Sequence, residues 1–228
     1  MSIRRRKIVL AGPVLLGLQA CSTPPPSLPV KPSQPAQQSP LPPPDEVPVY
    51  LVPLDDFPEA LAVNLAEGLQ QTFGIRIESS TPLPPLRLPK VPGTNQYASE
   101  ALMVAGRVAA ASLAGRPEAS YCLFLTARPI NTAAAGTRDQ FSAHDRGFNS
   151  SVVSLAGLLE PGQERPVFTQ RTALRLFKMS KRAIGEMHLG WSRSTDPLDL
   201  MYAPIMSLED VDRIGTNDKM QSVDQNPQ

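Results

Sequence analysis

Eleven of the chain's 26 prolines fall between residues 22 and 48, and no other feature narrows the fold as much. Proline fixes φ and removes a backbone donor, and its companions here are mainly Ser and Gln, with almost nothing to bury. Such a stretch cannot offset its ordering entropy by burial, so it reads as an extended, polyproline-II-biased tether reaching ~80 Å at full stretch. The polar residues 216–228 read as a frayed tail. What remains, residues 49–215, has the size of one domain. Composition closes off several functional classes. The 228 residues hold 22 basic and 21 acidic side chains, and four of the basic ones (Arg4, Arg5, Arg6, Lys7) sit at the very start. The other 18 against 21 are too balanced for a nucleic-acid surface. Two cysteines exclude a disulfide-rich scaffold and a four-cysteine zinc module. The two histidines, His144 and His188, restrict the metal sites the chain can build.

Residues 1–20 read as a processing segment. A basic start precedes the apolar run Ile8 to Leu18, about half the length of a membrane-spanning helix. The run ends in Leu18-Gln19-Ala20-Cys21, which resembles the bacterial lipoprotein signal, where a cysteine after small residues is lipidated and becomes the first mature residue. An ordinary secretory signal with an incidental cysteine is the alternative. The arginine triplet before Ile8-Val9-Leu10 also resembles a twin-arginine export signal. The lipoprotein reading makes residues 21–48 a lipidated tether and the membrane, through Cys21, the first partner. Ser22, in place of an aspartate, makes the outer membrane facing the periplasm the default location. Cys122 is then left alone in the apolar run Tyr121 to Leu125 and reads as a buried free thiol.

Within 49–215 the pattern alternates. Val49 to Leu54 suits a buried strand, Asp55-Asp56 caps a helix with leucines at 61, 65 and 69, and Ile75 to Glu78 is a second strand. The proline-rich piece Pro82 to Pro92 reads as a surface loop, and residues 95–113 as a helix. Tyr121 to Ala127 and Ser151 to Leu155 read as strands, with a Gly/Ala/Asn loop holding His144 and Asp145 between them. A long helix covers about Thr169 to His188 and a short one Ser207 to Ile214. The fold class is α/β (α+β), a small mixed sheet with packed helices.

The last third carries a family resemblance. Leu189-Gly190-Trp191-Ser192-Arg193-Ser194-Thr195-Asp196-Pro197, then Leu200-Met201-Tyr202, then Leu208 and Asp212, resembles the end of a metzincin zinc peptidase. The wider order is similar to the archaemetzincins: Gln96-Tyr97, the Tyr121 to Thr126 strand, Val152-Val153-Ser154-Leu155, and Arg175 with Lys178. The resemblance implies a site helix followed by a methionine turn. It also implies zinc held through H-E-x-x-H-x-x-G-x-x-H, in which histidines four apart share a helical face, a glutamate acts as base and a glycine turns the chain toward the third ligand.

Matching Gly190 to that glycine puts the ligand positions at Ala183, Met187 and Arg193, the base position at Ile184 and the methionine turn at Met201. No register supplies His-x-x-x-His, because the two histidines lie 44 residues apart. The expectation is a degenerate site: an apolar patch of Ala183, Ile184 and Met187 with the Arg193 charge beside it, balanced by Asp196 or Asp199. Glu186 and His188, two apart on a helix, read as a solvated or locally satisfied pair, and His144 with Asp145 as a polar turn. The leading reading is a protein without cofactor that binds a peptide or an envelope protein and no nucleic acid. Its rivals are a zinc peptidase with an atypical site made of Glu186, His188 and His144, and a purely structural envelope lipoprotein.

Overall fold

The computed structural model describes residues 48–113, 116–132, 140–162 and 167–217. Residues 1–47 and 218–228, where the signal segment, the Cys21 tether and most of the polar tail are expected, lie outside the described residues. No described helix is long and apolar enough to cross a membrane.

Five strands form the main sheet: β1 (Val49–Pro53), β2 (Ile77–Ser79), β4 (Tyr121–Thr126), β6 (Ser142–Asp145) and β7 (Ser150–Ser154), in the order β2-β1-β4-β7-β6. The first four are mutually parallel, and β6 pairs antiparallel with β7 at the edge. Two short strands, β3 (Tyr97–Ala98) and β5 (Ile130–Asn131), pair separately. Parallel strands need crossover helices, and these cover both faces of the sheet. This is why β4 reads as an unbroken apolar run: all six of its residues are buried. Tyr121, Leu123 and Leu125 enter one core with α1 (Glu59–Phe73) and α3 (Gln170–Met187). Cys122 and Phe124 enter the other, beneath α2 (Ser99–Ala110). Cys122 is a buried free thiol, and burial pushes its pKa up.

α1 buries Ala62, Leu65, Ala66 and Leu69 on one side and ends at Gly74. Asp55 and Asp56 do not cap it; its N-cap is Pro58, without a side-chain bond. Both carboxylates turn instead to the chain leaving β4. Asp56 accepts from Thr126 Oγ1 (2.9 Å) and Ala127 N (2.9 Å), and Asp55 takes both oxygens to Arg128 Nη2 at 2.8 Å. An unpaired donor pair at the end of a buried strand offers a carboxylate more than the open first turn of a helix does. The Pro82–Pro92 stretch forms no helix or strand, as expected of a loop, but Leu83 anchors it in the α2-side core. The segment holding His144 and Asp145 is not a loop: it is strand β6, with His144 opposite Ser151 and Asp145 opposite Ser150. Sequence patterning missed it because β6 is an edge strand with one buried residue, Ala143, and no apolar alternation.

After α3 the chain turns back through residues 188–207 to α4 (Leu208–Arg213), which opens on a capping box between Ser207 and Asp210. Four cations on α3 hold the chain that follows, from Leu200 through α4 to Thr216. Arg175 pairs with Asp212 through two 2.7 Å bonds, Lys178 Nζ donates to the Val211 and Asp212 carbonyls, Lys181 Nζ to Thr216 O, and Arg182 Nη1 to Leu200 O.

Asp56→Ala should remove the bonds to Thr126 and Ala127 together and cost about 1–3 kcal/mol. A lowered urea midpoint in the variant, partly restored in Asp56→Asn, is the expected result; an unchanged midpoint would show the contact to be idle.

Candidate functional site

α3 ends in a widened turn. His188 N bonds Ile184 O four residues back, Leu189 N bonds the same oxygen five back, and Trp191 N reaches Gly185 O six back. Gly190 supplies the left-handed conformation (φ 71°) that reverses the chain. Trp191 then lies flat on the helix at Gly185, where an added Cβ would stand 2.1 Å from the indole ring. The extra residue taken up by this turn changes which side chains face outward. Counting back from Gly190 with regular helical spacing stops one residue short of the observed face.

The cavity beside α3 is lined on the helix side by Met179, Arg182 and Glu186, on the return segment by Arg193 and residues 203–206, and on the edge strand by Ser142 and His144. Ala183, Ile184 and Met187 do not line it. Ala183 and Ile184 are fully buried in the main core, and Met187 packs against that core. The expected apolar patch is therefore corrected: these residues serve the sheet interface, and the cavity side of the helix is polar. Arg182 and Glu186 are four apart and Arg193 follows the glycine turn, so three charged residues take the spacing expected of ligands, shifted by one within the helix.

Glu186 is the centre of the charge pattern. It is 5% exposed, and Oε1 accepts from Arg193 Nη2 at 3.0 Å, with Arg146 Nη2 at 3.7 Å. Burial alone would raise its pKa, but the Arg193 hydrogen bond, with His144, Arg193 and Arg182 nearby, holds it below the ordinary carboxylate value. The expected Arg193 partners, Asp196 and Asp199, are occupied in the turn: Asp196 Oδ1 accepts from Leu198 N and Asp199 Oδ1 from Met201 N. Glu186 is thus neither solvated nor paired with His188.

His144 stands across the cavity. Its Nδ1 lies 2.7 Å from Ser151 Oγ, in hydrogen-bond contact, and Nε2 lies 3.5 Å from Ser142 Oγ. Desolvation pushes its pKa down to about 4, Glu186 opposes this, and Arg182, Arg193 and Arg146 add to it. Beneath it the fully buried Tyr121 hydroxyl sits near Ser151 without a well-formed hydrogen bond. His188 does not join them. It stacks on the Tyr121 ring, centroids 6.3 Å apart, and burial lowers its pKa. Of the atypical trio, then, His144 and Glu186 share the cavity and His188 lies outside it.

Met201 is fully buried with Trp191, Leu200 and Ile214. Its carbonyl accepts from Ser194 N at 2.9 Å, which ties the turn beneath the segment carrying Arg193. Missed in the sequence were Arg182 and Arg146; the i, i+4 pair Arg182 and Glu186 was the available signal, and it needed the helix register to be noticed.

The fold that carries this cavity has counterparts among solved structures. No family model matches the chain, and no curated protein matches it. A zinc-dependent peptidase from Methanocorpusculum labreanum superposes with a TM-score of 0.63 at 17% identity, over 78% of this chain and 100% of that one. Archaemetzincin from Methanopyrus kandleri gives 0.56 at 19% identity, over 81% and 96%. Archaemetzincin from Archaeoglobus fulgidus, complexed with malonate, gives 0.57 at 20%, over 78% and 99%. The chain has the archaemetzincin-like fold. At these identities the likeness is one of architecture: a mixed α/β fold with a mostly parallel five-stranded sheet and packed helices.

His144 has a lowered pKa in the folded chain, so the unfolded chain takes up its proton first as pH falls, and folding stability drops between about pH 6.5 and 4. His188, also lowered, acts in the same direction. Urea midpoints should fall across this window, and His144→Asn should flatten the slope. A nuclear magnetic resonance titration placing the folded His144 near 6.5 would contradict the assignment.

Proposed function

We propose that this chain is a lipid-anchored envelope protein whose archaemetzincin-like body has exchanged a zinc site for a charge cluster and binds a peptide or protein segment without cleaving it. The observation that carries the reading is the content of the cavity. In the cavity where this reading puts the former zinc, Arg182 and Arg193 flank one carboxylate and one imidazole. Among the described residues no group of three His, Cys, Asp or Glu side chains is placed to hold a metal ion. Two permanent cations beside the remaining donors repel a third, so this donor set does not fit zinc. The Arg193–Glu186 pair neutralises the buried carboxylate in the dication's stead.

Binding is favoured by the cavity's other wall. β6 is an edge strand, and Ser142 and His144 open onto the cavity, the setting in which an extended segment can add to a sheet. His144 and Glu186 sharing one cavity is what favours the rival, an atypical peptidase. Against it, a carboxylate already clasped by a guanidinium and held ionised is a poor proton acceptor. The anchor rests on Cys21 and the tether it begins, which supply attachment and reach, with the outer membrane facing the periplasm as its proposed place. A purely structural role would leave the cavity's charges without a task.

Two measurements test this. Purified chain loaded with zinc and dialysed should retain far less than one ion per chain; one tightly held zinc would overturn the reading. In cells, Cys21→Ser should abolish labelling with a radioactive fatty acid and move the protein out of the membrane fraction, whereas a variant that stays membrane-bound would remove the anchor.

A further inference from the structure

The cavity carries more positive charge than its own carboxylate neutralises. Both of its ion pairs end on Glu186 Oε1, from Arg193 and from Arg146. Arg182 stands outside them. It is 6% exposed, spends Nη1 on the Leu200 carbonyl and faces the cavity beside Glu186. Burial draws its pKa down and Arg193 adds to this, while Glu186 and Asp199 oppose it, and arginine remains protonated. With the His144 imidazole neutral at pH 7, Arg182, Arg193 and Arg146 stand against the two carboxylates Glu186 and Asp199, leaving a surplus of one positive charge.

Apart from Gln140 and Ser142, the rest of the wall is hydrocarbon. Phe141, Met179, Pro204, Ile205 and Met206 line a cavity of about 260 Å³. A guest that suits both parts is a monoanion joined to an apolar body. A phosphate dianion would bring a second negative charge against Glu186 and leave the apolar wall uncovered. A carboxylate is planar and matches guanidinium forks in two-pronged hydrogen bonds. Arg193 is 61% exposed and Arg146 73%, so both can turn toward an arriving anion.

We propose that this cavity recognises an organic carboxylate with an apolar side chain, its carboxylate between Arg182 and Arg193 and its apolar part against Met179 and Ile205. The C-terminal residue of a peptide has this chemistry, and so has an acidic side chain beside an apolar one. The proposal rests on the peptide-binding reading above and specifies what is bound.

The probes are an N-acetylated run of five alanines closed by leucine, as free acid and as carboxamide, and a third peptide with an internal glutamate and an amidated end. Each is titrated calorimetrically into the full chain in detergent. The free acid should bind about tenfold or more tightly than its carboxamide, the worth of one charge-assisted hydrogen bond. Arg193→Gln should bring that ratio close to one. The double variant Arg193→Gln with Glu186→Gln, which leaves no buried carboxylate unpaired, should do the same. If the internal glutamate also gives tight binding, the carboxylate comes from a side chain and its recognition still stands. Equal binding of acid and carboxamide overturns carboxylate recognition while leaving a peptide-binding protein, and no binding by any probe overturns it as well. Cleavage of the probes, by contrast, counts against the non-catalytic reading itself.

Discussion

A helix that buries four cations on the side facing its own chain's return must find acceptors for all of them, and in this protein that demand organises the site. Arg175, Lys178, Lys181 and Arg182 are each 6% exposed or less, and their bonds run to Asp212 and to the carbonyls of Leu200, Val211, Asp212 and Thr216. Leaving one such charge unpaired in a buried setting costs several kcal/mol, more than most single contacts contribute. Leu200 of the return segment, α4 and Thr216 beyond it are therefore not free to drift: their acceptors are the counter-groups of α3. The return segment is held at the helix exit and again at Leu200 and α4, and the position of Arg193, and with it the cavity, follows from that. Trp191 against Gly185 and the buried Met201 set the path of the chain between the two.

Within this frame Glu186 has a specific role. A carboxylate at 5% exposure needs a cation, and Arg193 comes from the far side of the glycine turn to supply it. The bond ties the exit of α3 to the segment three residues beyond Gly190. A salt bridge of this kind joins the helix exit to the chain beyond the turn mechanically, as a coordinated ion can elsewhere. On the proposed reading, that link lets a peptidase-like architecture stand without a Lewis acid.

How much of this was legible in the residues depends on how far each signal reaches. The apolar run of β4, the leucine spacing of α1 and the extent of α3 are local, and the structure reproduces them because burial on both sheet faces and on one helical stripe writes itself directly into residue type. The archaemetzincin-like layout was readable from the spacing of Gly190, Arg193 and Met201, since turns are set by short-range geometry. What failed was anything that depended on a long-range partner. Asp55 and Asp56 carry a helix-cap pattern, but Thr126, Ala127 and Arg128, some seventy residues on, compete for them and win. His144 and Asp145 look like a polar turn because an edge strand is not required to alternate.

The register of the site helix is the most instructive miss, because the error is one residue and the chemical consequence is large. A regular helix counted back from Gly190 places Ala183 and Met187 toward the metal position and makes the site apolar. The widened last turn, with Leu189 N and Trp191 N reaching five and six residues back, rotates the helix so that Arg182 and Glu186 face the cavity instead. One hundred degrees per residue separates a hydrocarbon plug from a cationic cavity. The first has nothing to offer a ligand beyond its shape, while the second holds a charge surplus that a guest can satisfy. What such a cavity can bind is decided by the side chains on the helix face that opens into it, and they are identified by the hydrogen bonds at the helix end.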